Sequence, residues 1–381
     1  MSSGLRICFC LSCYWPNESG AERQAHRQAV ELVRRGHRVV VLTRRLKSSP
    51  VVEVRDGVEI RRHIRTIDHL GPAFGVSFLT SLSWALWKMR KQVDIVHCHQ
   101  SLWEAAASGI VMGRRRDVAT VVQPAAGGEF GEATALARTR GRTLLRKAIL
   151  RNNQFVAISE QIEHELLEQG VKAERIVRIG SGVDTEQFSP GDTSLNESLP
   201  SGPRVLFVGR LHAQKNLQVL LRAWRQVVAS SPDATLILAG DGPQRAGLGQ
   251  LAENLQISKS VHFLGSIDNP QDYLRAAQLF VLPSHAEGMS NSLLEAMSTG
   301  LPIVASRAGG NTDLIQHERT GVLADATDPD ELAAAINRLL HDRTLAHRCG
   351  TAAREHVVNH FSIQAIVSRY LALYELLLEN A

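Results

Sequence analysis

The sequence predicts an α/β chain of two doubly wound, Rossmann-like domains facing each other across a cleft, and three observations carry that prediction. Its 381 residues suit two domains at roughly 100 to 200 residues each. Apolar, β-branched runs alternate with segments of helical period, the pattern of parallel strands joined by helical crossovers. The alternation breaks once, in a polar stretch rich in Pro, Gly, Ser and Asn from Ser189 to Pro203, and then starts again.

In the front half, Leu5 to Leu11 reads as a buried strand and Gly20 to Arg35 as a helix closed by Gly36. Further strands follow at Arg38 to Thr43, Val93 to His97, Ala119 to Val122 and Phe155 to Ile158. The first domain is therefore expected over 1–190 and the linker over 191–203. The back half, 204–361, opens with the strand Arg204 to Gly209, the helix Asn216 to Ser230 and the strand Ala234 to Gly240. The helix Gln244 to Leu255, the strand Val261 to Leu264, the segment Gln271 to Ala277 and the strand Leu279 to Leu282 come next. The helix Ser290 to Thr299 stops at Gly300 and Pro302, ahead of the strand Pro302 to Ser306 and two late helices, Pro329 to His341 and Arg343 to His360. The tail, 362–381, is an amphipathic helix (Ile363 to Leu378) and a candidate to pack back on the first domain. Open α/β sheets bind ligands at the carboxyl ends of their strands, so the chemistry is expected there.

Apolar residues make up 44% and charged residues 21%, enough for a sizeable core and too apolar for a disordered chain. No run approaches the roughly 20 apolar residues of a spanning helix, and the apolar stretch Leu5 to Trp15 lacks a basic leader, so neither a membrane span nor a secretory segment is expected. Five cysteines, an odd number, fit a reducing cytoplasmic compartment better than a disulfide scaffold. Cys8, Cys10 and Cys13 with His97 and His99 offer zinc-type ligands, but cysteines on one face of a buried strand act as small apolar groups, and no metal is expected. The charge is uneven: the first 190 residues hold 28 Lys and Arg against 19 Asp and Glu, the rest 15 against 19. A basic front half suits an anionic partner, whether a phosphorylated substrate, a lipid surface or nucleic acid.

Three motifs carry chemistry. Between the first strand and helix lies Pro16-Asn-Glu-Ser-Gly-Ala-Glu22, where Gly20 lets a ligand approach the first amides of the helix. Gly209, Arg210 and Leu211, then Lys215 and Asn216, follow the first strand of the second domain, where two long cations can hold a diphosphate. Glu287-Gly-Met-Ser-Asn-Ser-Leu-Leu-Glu295 puts one carboxylate in a loop and a second in the following helix, both suited to sugar hydroxyls, with amides at Gly288, Met289, Ser290 and Asn291 between them.

Together with Ala239-Gly-Asp-Gly-Pro243, Gly182-Val-Asp184, Phe188 and Gly309-Gly-Asn311, these motifs resemble retaining family 4 glycosyltransferases of GT-B fold, and the resemblance covers essentially the whole chain. It implies transfer of a sugar from a nucleotide-sugar, a UDP-sugar by preference, to an acceptor that the sequence does not identify. The nucleotide-sugar would be a co-substrate, and neither cofactor nor metal is expected. Carried over, Arg210 and Lys215 hold the donor diphosphate, Glu287 the transferred sugar and Glu295 the ribose. Gly20, Gly209 and Asn291 line the donor, and the amides from Gly288 to Ser290 help hold the leaving group. The catalytic set is Glu287, Arg210 and Lys215. The chain departs from the pattern in two places: Ser19-Gly20 stands where many relatives have Gly-Gly, and Gln123-Pro124 stands where many have a histidine. His97, His99, Gln123 and Glu129, the last in the glycine-rich stretch Ala125 to Gly131, are the acceptor-side candidates.

The alternatives are another nucleotide-sugar enzyme such as an epimerase, or a basic nucleic-acid-binding protein. Aromatics at 5% with no aromatic and basic interleaving speak against nucleic acid. Arg138 to Arg151 holds six cations and could lie peripherally on the inner face of an anionic membrane, but it lacks an aromatic, so a surface helix with its apolar face in the core is the reading preferred.

Overall fold

A computed structural model describes residues 4–16, 19–46, 49–67, 71–113 and 115–380. The chain forms two compact units, Met1–Gly182 with Ile363–Ala381, and Val183–Ser362.

In the first unit, β1 (Arg6–Cys10), β2 (Arg38–Arg44), β3 (Val52–Arg55), β4 (Val58–Ile64), β5 (Ile95–Cys98), β6 (Ala119–Val122), β7 (Gln154–Ala157) and β8 (Ile176–Arg178) pair in the order β3-β4-β2-β1-β5-β6-β7-β8. The β3–β4 pair is antiparallel and the other neighbours are parallel. Asp56 and Gly57 turn that hairpin with φ of +50° and +79°, the left-handed pair that an Asp-Gly step accepts. The helices are α1 (Gly20–Arg34), α2 (Gly71–Met89), α3 (Trp103–Val111), α4 (Glu132–Arg138), α5 (Arg142–Ile149) and α6 (Glu160–Glu168). Helix α2 packs on α3 and α3 on α5. Right-handed crossovers put these three on the face of the sheet opposite α1.

In the second unit, β9 (Arg204–Val208), β10 (Thr235–Ala239), β11 (Val261–Gly265), β12 (Leu279–Leu282), β13 (Ile303–Ser306) and β14 (Val322–Ala324) form a wholly parallel sheet. Its order is β11-β10-β9-β12-β13-β14, so the winding reverses between β9 and β12. Helices α7 (Leu217–Ser230), α8 (Arg245–Asn254), α9 (Pro270–Ala276), α10 (Asn291–Ser298), α11 (Asn311–Leu314), α12 (Pro329–His341) and α13 (Arg343–Phe361) complete it. Val205 to Val208 of β9 and the whole of β12 are apolar and almost wholly buried, as expected of strands covered on both sides. On α7, Trp224 is fully buried and its indole N–H donates to the Ser260 hydroxyl at 3.0 Å.

The boundary lies earlier than residue 190, and 183–203 is not a free linker. Val183 and Phe188 are buried in the second unit's core. The Val183 amide donates to the Phe361 carbonyl at 2.9 Å, and the Ser298 hydroxyl to the Phe188 carbonyl at 2.6 Å. Further on, the Arg204 guanidinium binds the Pro200 carbonyl and the Asn196 side chain, both at 2.9 Å. Arg275 adds hydrogen bonds to the Ser189 and Gln187 carbonyls at 3.0 and 3.1 Å, so a polar composition that resembles a linker is here satisfied by arginines of the second unit.

The last helix, α14 (Ile363–Glu379), belongs to the first unit, where it packs on α1 and β6. Two tyrosines fasten it. The Tyr374 hydroxyl lies 2.7 Å from His97 Nδ1, and the Tyr370 hydroxyl donates to Gln123 Oε1 at 2.8 Å. His99 stacks on His97 with ring centroids 4.2 Å apart, and all five side chains are buried. Burial lowers the His97 imidazole to about 3 and holds His99 well below the usual histidine range, so both are neutral at pH 7.

Two outcomes follow. Gly240 has φ +144°, and a Cβ there would lie 1.9 Å from the Gly209 carbonyl oxygen, backbone against backbone. Gly240→Ala is expected to cost about 3 kcal/mol or more, read from urea unfolding of the full chain. His97 takes up a proton at pH 6.5 when unfolded but only near 3 when folded. Its contribution to stability is complete above pH 6.5 and is lost as pH falls below it, at about 1.4 kcal/mol per pH unit. His97→Gln, which still offers Tyr374 a partner, should remove that part of the slope; an unchanged difference between wild type and variant from pH 7 to 4 would contradict it.

Candidate active site

The reversal between β9 and β12 leaves two loops side by side at the carboxyl edge of the second sheet, 209–216 and 283–290. Their main chains are joined. The His285 amide donates to the Gln214 carbonyl at 2.9 Å, and the Gln214 side chain donates to the Ala286 carbonyl at 2.8 Å. Asn216 turns the chain from a 3-10 turn (Ala213–Lys215) into α7 with φ +54°, a left-handed conformation that asparagine tolerates better than most residues.

Glycines allow this closeness. The turn Gly240-Asp241-Gly242 lies against Gly209 to Leu211, and a Cβ on Gly242 would come within 2.4 Å of the Leu211 carbonyl oxygen. On the other side a Cβ on Gly310 would lie 2.0 Å from the Gly288 carbonyl oxygen, and the Gly310 amide donates to the Glu287 carbonyl at 2.9 Å. Asn311 adds a second tie: its side-chain amide donates to the Ser306 carbonyl and hydroxyl, and that hydroxyl donates to the Ser284 carbonyl at 2.5 Å. Both Gly240-Asp-Gly242 and Gly309-Gly-Asn311 thus support the two loops from either side.

Within this frame Lys215 Nζ lies 2.5 Å from Glu287 Oε1, with side chains 17% and 7% exposed. So little water around the pair strengthens its attraction and fixes both head groups. Ser290 caps α10, its hydroxyl accepting from the Leu293 amide at 3.4 Å. Gly288, Met289 and Asn291 surround that cap, so the first amides of the helix sit next to the ion pair in the chain. Glu295, in the same short helix, is buried. Arg210, next to Gly209, is exposed, and its guanidinium pairs with no carboxylate among the described residues. The structure therefore gathers Gly209, Arg210, Lys215, Glu287 and the start of α10 around one switch point.

In the first unit the candidates are dispersed. Gly20 opens α1 behind Ser19, whose amide donates to Glu22 Oε2 at 2.8 Å, so the acid of that motif caps its own helix. Asn17 and Glu18 lie outside the described residues. Glu129 is exposed on a one-turn 3-10 segment (Gly128–Phe130). His97, His99 and Gln123, expected on the acceptor side, are buried in the unit; His97 and Gln123 engage Tyr374 and Tyr370 of α14. That correction has a plain cause: a helix late in the chain returns to cover this part of the sheet. Cys8, Cys10, Cys98 and Cys349 are buried free thiols and Cys13 is half-buried; no group of three or more metal-ligating side chains occurs among the described residues.

Two half-buried acids, Glu132 and Glu165, bear on the glycine-rich loop. Glu132 accepts from the amides of Ala125 and Ala126 at 3.1 and 3.3 Å, and Glu165 accepts from Gly128 at 2.6 Å, so both shape the glycine-rich loop. Burial raises the Glu132 carboxyl to about 7, and does the same to Glu104 at the start of α3. Their sequence signal is faint, since an acid in a helix's first turn is ordinary dipole chemistry.

The Glycosyltransferase Family 4 model matches residues 19–187, and the Glycosyl transferases group 1 model matches residues 196–356. The chain is 30% identical over 371 residues to D-inositol 3-phosphate glycosyltransferase of Nocardiopsis dassonvillei, covering 86% of this chain and 83% of that one. It is 27% identical to N-acetyl-alpha-D-glucosaminyl L-malate synthase of Bacillus anthracis, covering 97% of each. The crystal structure of Anabaena HepE in complex with UDP superposes with a TM-score of 0.78 at 19% identity, over 97% of this chain and all of that one. With two doubly wound units and this switch-point site, the chain belongs to the family 4 glycosyltransferases of GT-B fold and is a glycosyltransferase.

Proposed function

We propose that the protein transfers a hexosyl group from a nucleoside-diphosphate sugar, UDP-linked by preference, to an acceptor hydroxyl, with retention of anomeric configuration and without a bound metal or other cofactor. The observation that carries this reading is the largely buried Lys215–Glu287 pair beside the helix start at the β9/β12 switch point. The UDP preference draws support from the structural neighbour that holds UDP.

An ammonium has three N–H groups. Glu287 takes one and aims the rest, so Lys215 keeps two donors for diphosphate oxygens. Arg210 adds a fork of donors from the same loop, and the first amides of α10 add a partial positive charge. As the bond from the anomeric carbon to the diphosphate oxygen breaks, negative charge gathers on that oxygen, where fixed cations do most to lower the barrier. The acceptor oxygen bonds to the same face of the anomeric carbon and passes its proton to the departing diphosphate oxygen. Nucleoside diphosphate leaves, and the protein needs no general base of its own. A carboxylate has about four acceptor positions, so Glu287 can hold Lys215 and sugar hydroxyls together, while Glu295 on α10 accepts from the ribose.

Lys215→Ala should lower kcat by about a hundredfold or more in slow UDP-sugar hydrolysis. Glu295→Gln should act mainly on KM, raising it about tenfold or more through loss of a charged hydrogen bond. Circular dichroism and thermal unfolding verify the folds of both; unchanged turnover in both well-folded variants would overturn the assignment. Treatment with EDTA should leave transfer unchanged, whereas loss restored by a divalent ion would transfer the diphosphate's neutralisation from Arg210 and Lys215 to a metal.

A further inference from the structure

One surface has no part in the chemistry above. Helix α2 turns Phe78, Leu82, Ala85, Leu86 and Met89 inward, which already satisfies the core. Its outward stripe carries Val76, Trp84 and Trp87, exposed by 63%, 57% and 46%. A soluble surface gains nothing from two such tryptophans on adjoining turns of one helix face. Their rings stack at 5.1 Å with 12° between planes, and a cation sits over each: Lys88 Nζ 5.0 Å from the Trp84 ring and Arg90 Cζ 4.1 Å from the Trp87 ring.

The two outer helices of this layer, α2 and α5, carry cations without acids, and the one acid of α3 between them, Glu104, is buried. No acid occurs in 71–93, which holds α2, or in 133–159, which holds α5. Helix α3 lies between α2 and α5 in one helical layer. The six cations from Arg138 to Arg151 are all exposed, and none pairs with a carboxylate among the described residues. On α5 Leu144 is 74% exposed, while Leu145, Ala148 and Ile149 are buried. The aromatic residues that the α5 sequence lacks are thus supplied by α2, on the far side of α3 in the same layer.

We infer that the α2–α3–α5 face of the first unit docks on the surface of an anionic phospholipid bilayer. Indole rings favour the headgroup region, and Lys and Arg beside them meet lipid phosphates. Their apolar stems can lie along the tryptophans while the charges reach the phosphate plane. A second copy of the chain is a poor occupant, because two faces of the same positive sign would repel. The inference stands independently of the donor assignment.

Co-sedimentation of the full chain with vesicles of phosphatidylcholine alone, and with phosphatidylglycerol added, tests it. The wild type should prefer the mixed vesicles and release as salt rises. Trp84→Ser with Trp87→Ser should weaken partitioning about tenfold or more. Replacing Lys88, Arg90 and Lys91 by serine should weaken it about a hundredfold at low salt. These positions lie on the surface, and an unshifted thermal midpoint verifies each fold; Arg343→Ser on the second unit serves as a control that binds as wild type. Equal or absent binding to the two kinds of vesicle, or wild-type binding by the tryptophan variant, would overturn the proposal. So would vesicle indifference combined with loss, in that variant, of self-association in sedimentation or of oligonucleotide binding.

Discussion

Everything at the candidate site depends on how closely two backbones can run. At the β9/β12 reversal the loops 209–216 and 283–290 are pressed from both sides by turns whose glycines leave no room for a Cβ: Gly240 against Gly209, and Gly310 against Gly288. That contact sets where Lys215 and Glu287 start, and a long lysine side chain then needs little freedom to reach its partner. Pre-positioning of this kind is worth more than the attraction itself. A buried ion pair loses solvation that Coulomb energy only partly returns, so its value here lies in fixing donors before a ligand arrives.

Legibility in the sequence followed the type of interaction. The strands and helices of the second unit were readable because a parallel sheet covered on both faces demands unbroken apolar runs, and Val205 to Phe207, Leu236 to Leu238 and Leu279 to Leu282 supply them. Glycine pairs and spaced acids were readable as well, since few residues other than glycine tolerate such close backbone approach. The hairpin at Val52–Ile64 is hard to read although Asp56-Gly57 marks it, because alternating charged and apolar residues there resemble surface loop as much as strand. What no local pattern could disclose was tertiary partnership. That Gln123 meets Tyr370 and His97 meets Tyr374 depends on residues about 250 or more positions apart.

The same distance hides the role of His97 from the sequence. A histidine at a strand's carboxyl end looks poised for catalysis until something covers it, and covering inverts its role. Buried among Phe9, Tyr370 and its neighbour His99, the His97 ring is held neutral to about pH 3, too weak a base to take a proton near neutrality. A mechanism in which the departing diphosphate accepts the acceptor's proton makes no demand on such a residue. The interior of the first unit and the chemistry proposed for the second are therefore compatible.

Charge separation between the units bears on the same economy of design. The second unit brings Arg210 and Lys215 together in one loop beside a helix start, and in the proposed reaction all three would act on a single diphosphate. In the first unit cations are spread over an exposed helical layer, where each is solvated and individually weak, and only a partner of large area and repeating negative charge could engage many at once. A small phosphorylated ligand would meet two or three of them at most. Stacked tryptophans at the same layer argue for a partner with an apolar interior beneath its charge, and a lipid headgroup surface combines both properties where a sugar phosphate has only one.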